Sequence, residues 1–133
     1  MAVAFVLFGP QPPGRTDGAV AEIGEATRFT AAEVEAAQMA VLEKFKDFEG
    51  CSLLRIAYDE SESDRLAAEH LAYTSASDRG VSWDNVIVFS SDFHVGRRGA
   101  ESGFNPNQDY SDWLWFVERD GPASTWTVAS WGY

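Results

Sequence analysis

The amino-acid sequence predicts an α+β domain in which an antiparallel sheet of about four strands packs on one long N-terminal helix, with a short second helix. Three observations support this fold class: a capped amphipathic segment at 31–48, two strand-like apolar runs at 52–58 and 85–93, and an aromatic hairpin at 112–133. The order helix, strand, helix, strand, hairpin is typical of a sheet with helices packed on it.

The long helix is predicted from a capping box and from apolar spacing. The Thr30 hydroxyl is placed to accept a hydrogen bond from the backbone of Glu33, whose side chain reaches back to the cap. Gly50 suits the position just beyond the helix end. The apolar residues at helical spacing are Val34, Ala37, Val41, Leu42, Phe45 and Phe48. We expect this stripe to lie on the sheet, with Phe45 and Phe48 buried.

Two strands and a short helix follow. Residues 52–58 are predicted as a strand, and 59–64 contain four acidic residues. These acids lack the central glycine and the final glutamate of a calcium loop. We therefore expect them at the start of a helix over 63–73, where they complement the helix dipole. The apolar run at 85–93 predicts a central strand, and residues 94–111, rich in glycine and asparagine, predict a long loop.

The hairpin at 112–133 is predicted to be apolar on both faces. A turn centred on Gly121-Pro122 places Phe116 opposite Val128 and Trp113 opposite Trp131. Alternation along the strands gives one face with Leu114, Phe116, Trp126 and Val128, and a second face with Trp113, Trp115, Val117, Ala129 and Trp131. Because one helix covers only one face, we expect something else to cover the other.

The second hairpin face carries the predicted partner-binding residues, Trp113, Trp115 and Trp131. Three bare aromatic side chains would expose roughly 450–750 Å², and the largest apolar patch on a monomer is usually about 300–600 Å². We therefore expect this face to be covered. A second copy of the chain is the predicted cover, which makes the protein a homodimer, and the alternative cover is the apolar stretch at residues 3–8.

The chain is predicted to consist of an apolar start with a proline-rich tether at 1–29 and a single domain at 30–133. The apolar stretch at residues 1–8 is far too short to span a bilayer, so no integral membrane segment is expected. It also lacks a basic flank and a clear cleavage site. A cytoplasmic location is therefore predicted, with export as the alternative if the true start lies upstream.

Composition narrows the classes of partner. The formal net charge is −11, and no basic stripe offsets it, so a nucleic-acid partner is not expected. The lone cysteine, Cys51, opens an apolar strand and is interpreted as a buried structural thiol. No phosphate-binding loop or nucleophile motif is present in the sequence, and no cofactor is predicted.

Three residues are candidates for acid–base chemistry. Asp92 and His94 are two apart on a predicted strand, so they face the same side, and the carboxylate is placed to orient the imidazole. Tyr110 is expected to join them at the open end of the sheet, together with Asp112. The other histidine, His70, lies on an apolar helical face and is interpreted as a packing residue. Two histidines on separate elements do not predict a metal site.

Parts of the chain resemble a known group of proteins. The segments Phe-Lys-Asp-Phe-Glu-Gly-Cys at 45–51, Asn-Val-Ile-Val-Phe-Ser-Ser-Asp-Phe at 85–93 and the tryptophan-rich end at 113–133 are similar to those of small uncharacterised bacterial proteins. These belong to the cystatin-like, nuclear-transport-factor-like superfamily. The resemblance covers 30–133 and implies a curved antiparallel sheet that wraps a long helix. This fold hosts isomerases, dehydratases and binding modules, so it does not choose a function.

The sequence therefore favours a binding or assembly domain that is homodimeric through its tryptophan-rich sheet. The alternative is a small-molecule enzyme of the isomerase or dehydratase type, with Asp92, His94 and Tyr110 in a pocket between helix and sheet. A pocket needs polar groups that point into it, and the residues predicted to point inward are almost all apolar. A small apolar ligand is a further candidate partner.

Overall fold

The computed structural model describes residues 11–98 and 103–133. It confirms an α+β fold, with one open five-stranded sheet and a helix on each of its faces. The strands are β1 Val20–Ile23, β2 Cys51–Tyr58, β3 Val86–Val95, β4 Asp109–Glu118 and β5 Thr127–Gly132, and the helices are α1 Ala31–Phe45 and α2 Glu60–Tyr73.

The sheet has five strands, where about four antiparallel strands were expected. The strand order is β1-β2-β3-β4-β5, and β1 runs parallel to β2 while the other pairs are antiparallel. The additional strand, β1, lies in the segment predicted to be a tether. Gly14 donates a hydrogen bond to the Lys46 carbonyl at 2.9 Å, and Arg15 donates one to the Cys51 carbonyl at 3.0 Å. These backbone bonds attach the segment before β1 to α1 and β2.

The two helices are nearly equal in length, with 15 residues in α1 and 14 in α2, so the expectation of one long and one short helix is wrong. The capping box predicted for α1 is present, with Thr30 and Glu33 bonded reciprocally. α1 ends at Phe45, three residues before the predicted end. α2 begins earlier than predicted because Asp59 caps it by accepting a hydrogen bond from the Glu62 backbone.

α1 packs on one face of the sheet through aromatic side chains. Phe45 and Phe48 are buried, as predicted. The Phe45 ring centroid lies 5.7 Å from that of Phe93 on β3 and 6.3 Å from that of Trp115 on β4. Burial of these large apolar rings is the main source of stability on this face.

α2 covers the opposite face. Its Ala67 is buried with Val86 and Val88 of β3, and Leu114 and Phe116 of β4 pack against this smaller cluster. β3 is therefore the central strand, as the apolar run predicted, and both of its faces are buried over residues 86–89. Both faces of β4 are also covered, one by each helix.

The predicted register of the hairpin is wrong. Trp115 pairs with Trp131 and Val117 with Val128, and a bulge lies between Phe116 and Val117. The loop runs from 119 to 126, longer than a turn centred on 121–122. The shift places Trp126 and Val128 in the α1-side cluster instead of on the face of Leu114 and Phe116.

Candidate functional site

The predicted acid–base set is not assembled. Asp92 and His94 alternate along β3 with buried residues, so they share a face, but each has a different partner. The Arg55 Nε donates to Asp92 Oδ2 at 3.0 Å, whereas His94 Nδ1 lies 2.6 Å from Asp109 Oδ1. The imidazole is thus oriented by Asp109 at an exposed position, and not by Asp92.

Tyr110 belongs to the other face of the sheet. Its ring stacks on that of Phe93, with centroids 5.2 Å apart, and it packs against the α1-side cluster. Its hydroxyl accepts a hydrogen bond from the Asn105 backbone at 3.1 Å. Asp112 does join Asp92, because its backbone N–H donates to Asp92 Oδ1 at 3.0 Å.

The tryptophan face proposed as a dimer interface lies on the α1 side of the sheet. Trp115 is fully buried, and its indole N–H donates to the Ser91 hydroxyl at 2.8 Å. Trp113 is partly buried, and Phe48 lies 6.3 Å from it and 5.2 Å from Trp115, ring centroid to ring centroid. Trp131 keeps 43% of its surface exposed. Phe45 of α1 and Phe48 just after the helix therefore supply cover that was assigned to a second copy. The alternative cover, residues 3–8, lies outside the described residues.

A cleft opens on the opposite face, beside α2. It has a volume of about 420 Å³, within the range of small-molecule sites. The apolar part of its lining includes Ala57, Leu66, Val88 and Leu114, and the polar part includes Glu22, Arg55, Asp59, Glu62, Ser63, Ser90 and Asp112. It lies where α2 leaves the sheet uncovered, so strand side chains reach solvent there.

Arg55 is the cation of this cleft, and three carboxylates surround it. Its guanidinium lies 3.0 Å from Asp92, 3.3 Å from Glu22 and 3.7 Å from Asp112. Burial works to raise the pKa of Asp92, but hydrogen bonds from the Arg55 side chain and the Asp112 backbone outweigh it, and the pKa is lowered. The hydrogen bond that Arg55 donates to Asp92 is the main reason that the pKa of Arg55 is raised. Both groups are therefore charged at neutral pH.

The lining of the cleft carries more negative than positive charge. Four carboxylates line it, those of Glu22, Asp59, Glu62 and Asp112, against the single guanidinium of Arg55. The positive end of α2 does not change this balance, since the Asp59 side chain already accepts from the first turn of the helix. Arg65, which is not a lining residue, pairs with Glu62. Even with Arg65 counted, the formal charge around the cleft is negative, which favours cations over anions.

Asp112 reaches the cleft through an irregular backbone. It has a φ of 57°, in the left-handed region, and lies where the β3–β4 pairing shifts between Ser91 and Phe93. Aspartate is one of the few residues besides glycine that adopt this conformation readily. Its side chain is 83% exposed, so it is the least restrained of the three carboxylates around Arg55.

A second group of charges, around Glu118, is structural. His70 Nε2 lies 2.7 Å from Glu118 Oε2, and Arg79 donates to both oxygens of that carboxylate at 2.9 and 3.1 Å. His70 is buried and stacks on Phe116 with ring centroids 4.9 Å apart, which supports its interpretation as a packing residue. This group joins α2 to β4.

The cleft was missed because its residues are far apart in sequence. Arg55 interrupts the apolar run of β2, and Glu22 interrupts that of β1. A charged residue within a short apolar run is the signal that was available. Only the parallel pairing of β1 with β2, which sets Val20 opposite Arg55, brings Glu22 within reach.

Within residues 11–98 and 103–133, no three histidine, cysteine, aspartate or glutamate side chains are grouped so that they could hold a metal ion. Neither α1 nor α2 has the length and apolar character that a bilayer span requires.

The fold and the cleft together define a two-helix α+β domain with an acidic surface cleft. No protein family, curated protein sequence or solved structure matches the chain. The resemblance to the cystatin-like, nuclear-transport-factor-like group therefore stays a prediction.

Proposed function

We propose that the protein is a non-enzymatic binding domain that works as a homodimer and holds a small organic cation in the cleft beside α2. The observation that carries the ligand proposal is the lining of the cleft, where four carboxylates and one guanidinium surround an apolar floor. A cytoplasmic location is proposed with it, and export is the alternative.

The shape and chemistry of the cleft favour an amine with an apolar body. The apolar side chains of Val88 and Leu114 offer a surface for a hydrocarbon group. Glu22 and Asp112 lie beside Arg55 at its polar side, where a ligand ammonium would be attracted. The amine is proposed in place of the small apolar ligand expected from the sequence, since aromatic rings fill the space between α1 and the sheet.

The enzyme alternative has weaker support. Asp92 is hydrogen-bonded to Arg55, and His94 is hydrogen-bonded to Asp109. The Tyr110 hydroxyl accepts a hydrogen bond from a backbone N–H on the opposite face of the sheet. General acid–base catalysis needs its groups within hydrogen-bond reach of one substrate. These three residues do not converge on one space.

Calorimetric titration with a matched pair of probes tests the ligand class. Hexylammonium and hexanoate share a chain length and differ in the sign of the head group. We expect hexylammonium to bind and hexanoate to show no binding up to about 10 mM, because the lining attracts cations. Equal binding of both probes, or of neither, would contradict the proposal.

A charge-removal variant locates the site. Two charges about 4 Å apart interact by about 1 kcal/mol in a water-like environment, so Glu22→Gln is expected to weaken hexylammonium binding about fivefold. Glu43→Gln is the matched control, since Glu43 is an exposed carboxylate of α1 on the other side of the sheet. Equal weakening by the two variants would show diffuse attraction to an acidic protein and no binding in the cleft.

A further inference from the structure

The two edges of the sheet differ in how well they are protected against pairing with another chain. β1 is four residues long and carries Glu22, whereas β5 has six residues, Thr127–Gly132, with no charged residue and no proline. Edge strands of natural proteins are usually short, charged or interrupted by proline, because their open backbone groups otherwise pair with another chain. Among the described residues, no further strand joins the sheet beyond β5.

From this edge we infer that the homodimer forms by antiparallel pairing of β5 with β5 of a second copy. The inference rests on the proposed homodimer and names its surface. Pairing of the same strand about a two-fold axis is self-complementary and closes the assembly at two copies. It also satisfies the open backbone groups of both strands.

The lack of charge on β5 favours a second copy at this edge. The chain has 21 acidic and 10 basic residues, so two copies carry the same net charge and repel one another. The segment from Gly121 to Tyr133 contains no charged side chain. β5 lies within this neutral segment, so the pairing of two β5 strands sets no like-charged side chains of the strand against each other.

Exposed aromatic surface lies next to the same edge. Trp131 is 43% exposed, although its ring centroid lies 6.1 Å from that of buried Trp115. Tyr133 is 75% exposed and contacts Trp113, with ring centroids 5.1 Å apart. A strand added beside β5 would cover part of this surface, which adds an apolar contribution to the backbone pairing.

The interface is small, so the dimer is expected to be weak. A six-residue strand spans about 20 Å, and its pairing buries less than the roughly 800 Å² per partner of a standard interface. We therefore expect a dissociation constant for the dimer of tens of micromolar. Sedimentation velocity from about 2 to 200 µM covers this range.

Matched alanine-to-glutamate variants test the surface. Ala129 and Ala21 are both exposed, the first on β5 and the second on the opposite edge strand, β1. Ala129→Glu brings two like charges together near the two-fold axis, so we expect the dissociation constant to rise at least tenfold. Ala21→Glu adds the same charge to the chain and is expected to leave the dissociation constant unchanged.

The outcomes separate the inference from the proposal on which it rests. A monomer at every concentration overturns both the homodimer and the β5 edge. A dimer weakened equally by Ala21→Glu, or unaffected by Ala129→Glu, overturns the edge and leaves the homodimer. Ligand binding in the cleft is measured separately and does not depend on either result.

Amide hydrogen exchange on the unaltered protein gives a second test if Ala129→Glu does not fold. β5 amides are expected to exchange more slowly at about 200 µM than at about 2 µM, while β1 amides exchange at the same rate at both concentrations. Exchange in β5 that is independent of concentration overturns the inference.

Discussion

Gly14→Ala tests the most unexpected part of the fold, the attachment of the segment before β1 to the end of α1. The Gly14 N–H donates to the Lys46 carbonyl at 2.9 Å. A Cβ atom at this position would lie 2.0 Å from the Phe45 carbonyl oxygen and 3.0 Å from the Phe45 ring. The oxygen belongs to the backbone of α1, so the segment and the helix must move apart.

The expected cost combines three terms. Forcing extra volume into a packed site costs about 1–3 kcal/mol, and weakening one backbone hydrogen bond adds about 0.5–1.5 kcal/mol. Loss of glycine flexibility in the unfolded chain offsets about 0.4–1 kcal/mol. We therefore expect Gly14→Ala to lower the free energy of unfolding by about 2 kcal/mol.

Gly18→Ala is the matched control. A Cβ atom at Gly18 meets nothing within 4 Å, and its φ lies outside the left-handed region. Its effect is expected to stay within about 0.5 kcal/mol. Chemical denaturation followed by tryptophan fluorescence gives both values, with the slope checked for two-state behaviour. Equal stability of the two variants would refute the packing of Gly14 on α1 and restore the interpretation of this segment as a tether.

Three further predictions concern the core and its buried polar groups. Phe45→Ala should lower the free energy of unfolding by about 3–5 kcal/mol, because Phe45 is fully buried. Tyr73→Ala, at an 85% exposed position, should lower it by less than about 0.5 kcal/mol. A loss below about 1 kcal/mol for Phe45→Ala in chemical denaturation would show that the apolar stripe of α1 does not face the sheet. Burial opposes ionisation of Glu118, but hydrogen bonds from Arg79 and His70 lower the pKa of its carboxyl group. The ionised carboxylate therefore stabilises the folded state above about pH 4.3, the ordinary pKa of a glutamate. This contribution to the free energy of unfolding is lost as the pH falls through the lowered pKa of the folded protein. Urea denaturation from neutral to acidic pH should show a smaller loss of unfolding free energy in Glu118→Gln than in the unaltered protein. An equal loss in both proteins would contradict this role of Glu118. Burial raises the pKa of Cys51 to about 11, so a thiol reagent at neutral pH should react slowly with the folded protein and rapidly in denaturant, and equal rates would show an accessible thiol.

Local sequence patterns predicted the elements whose signals lie within one segment. The capping box of Thr30 and Glu33 gives the start of α1, and apolar spacing gives the burial of Phe45 and Phe48. The apolar run of β3 correctly indicated a central strand. These patterns are reliable because capping bonds and helical or strand periodicity join residues a few positions apart.

Element ends and pairing were predicted less well. β1 was missed because four residues with a central glutamate give a weak strand signal, and its position depends on pairing with β2. The hairpin register failed because one bulge moves a side chain to the opposite face. The candidate acid–base residues are not brought together, because Tyr110 lies on the opposite face of the sheet from Asp92 and His94.

Sequence patterns were sufficient to predict the fold class, the amphipathic face of α1 and the need for a cover on each face of the hairpin. The three-dimensional packing was needed to show which element covers which face, and that Arg55 meets Asp92 and Glu22 in a cleft. These contacts join residues that are far apart along the chain. Arg55 and Asp92 are 37 residues apart and His70 and Glu118 are 48 apart. Contacts at such distances depend on how the sheet pairs and how the helices pack, which no local pattern specifies.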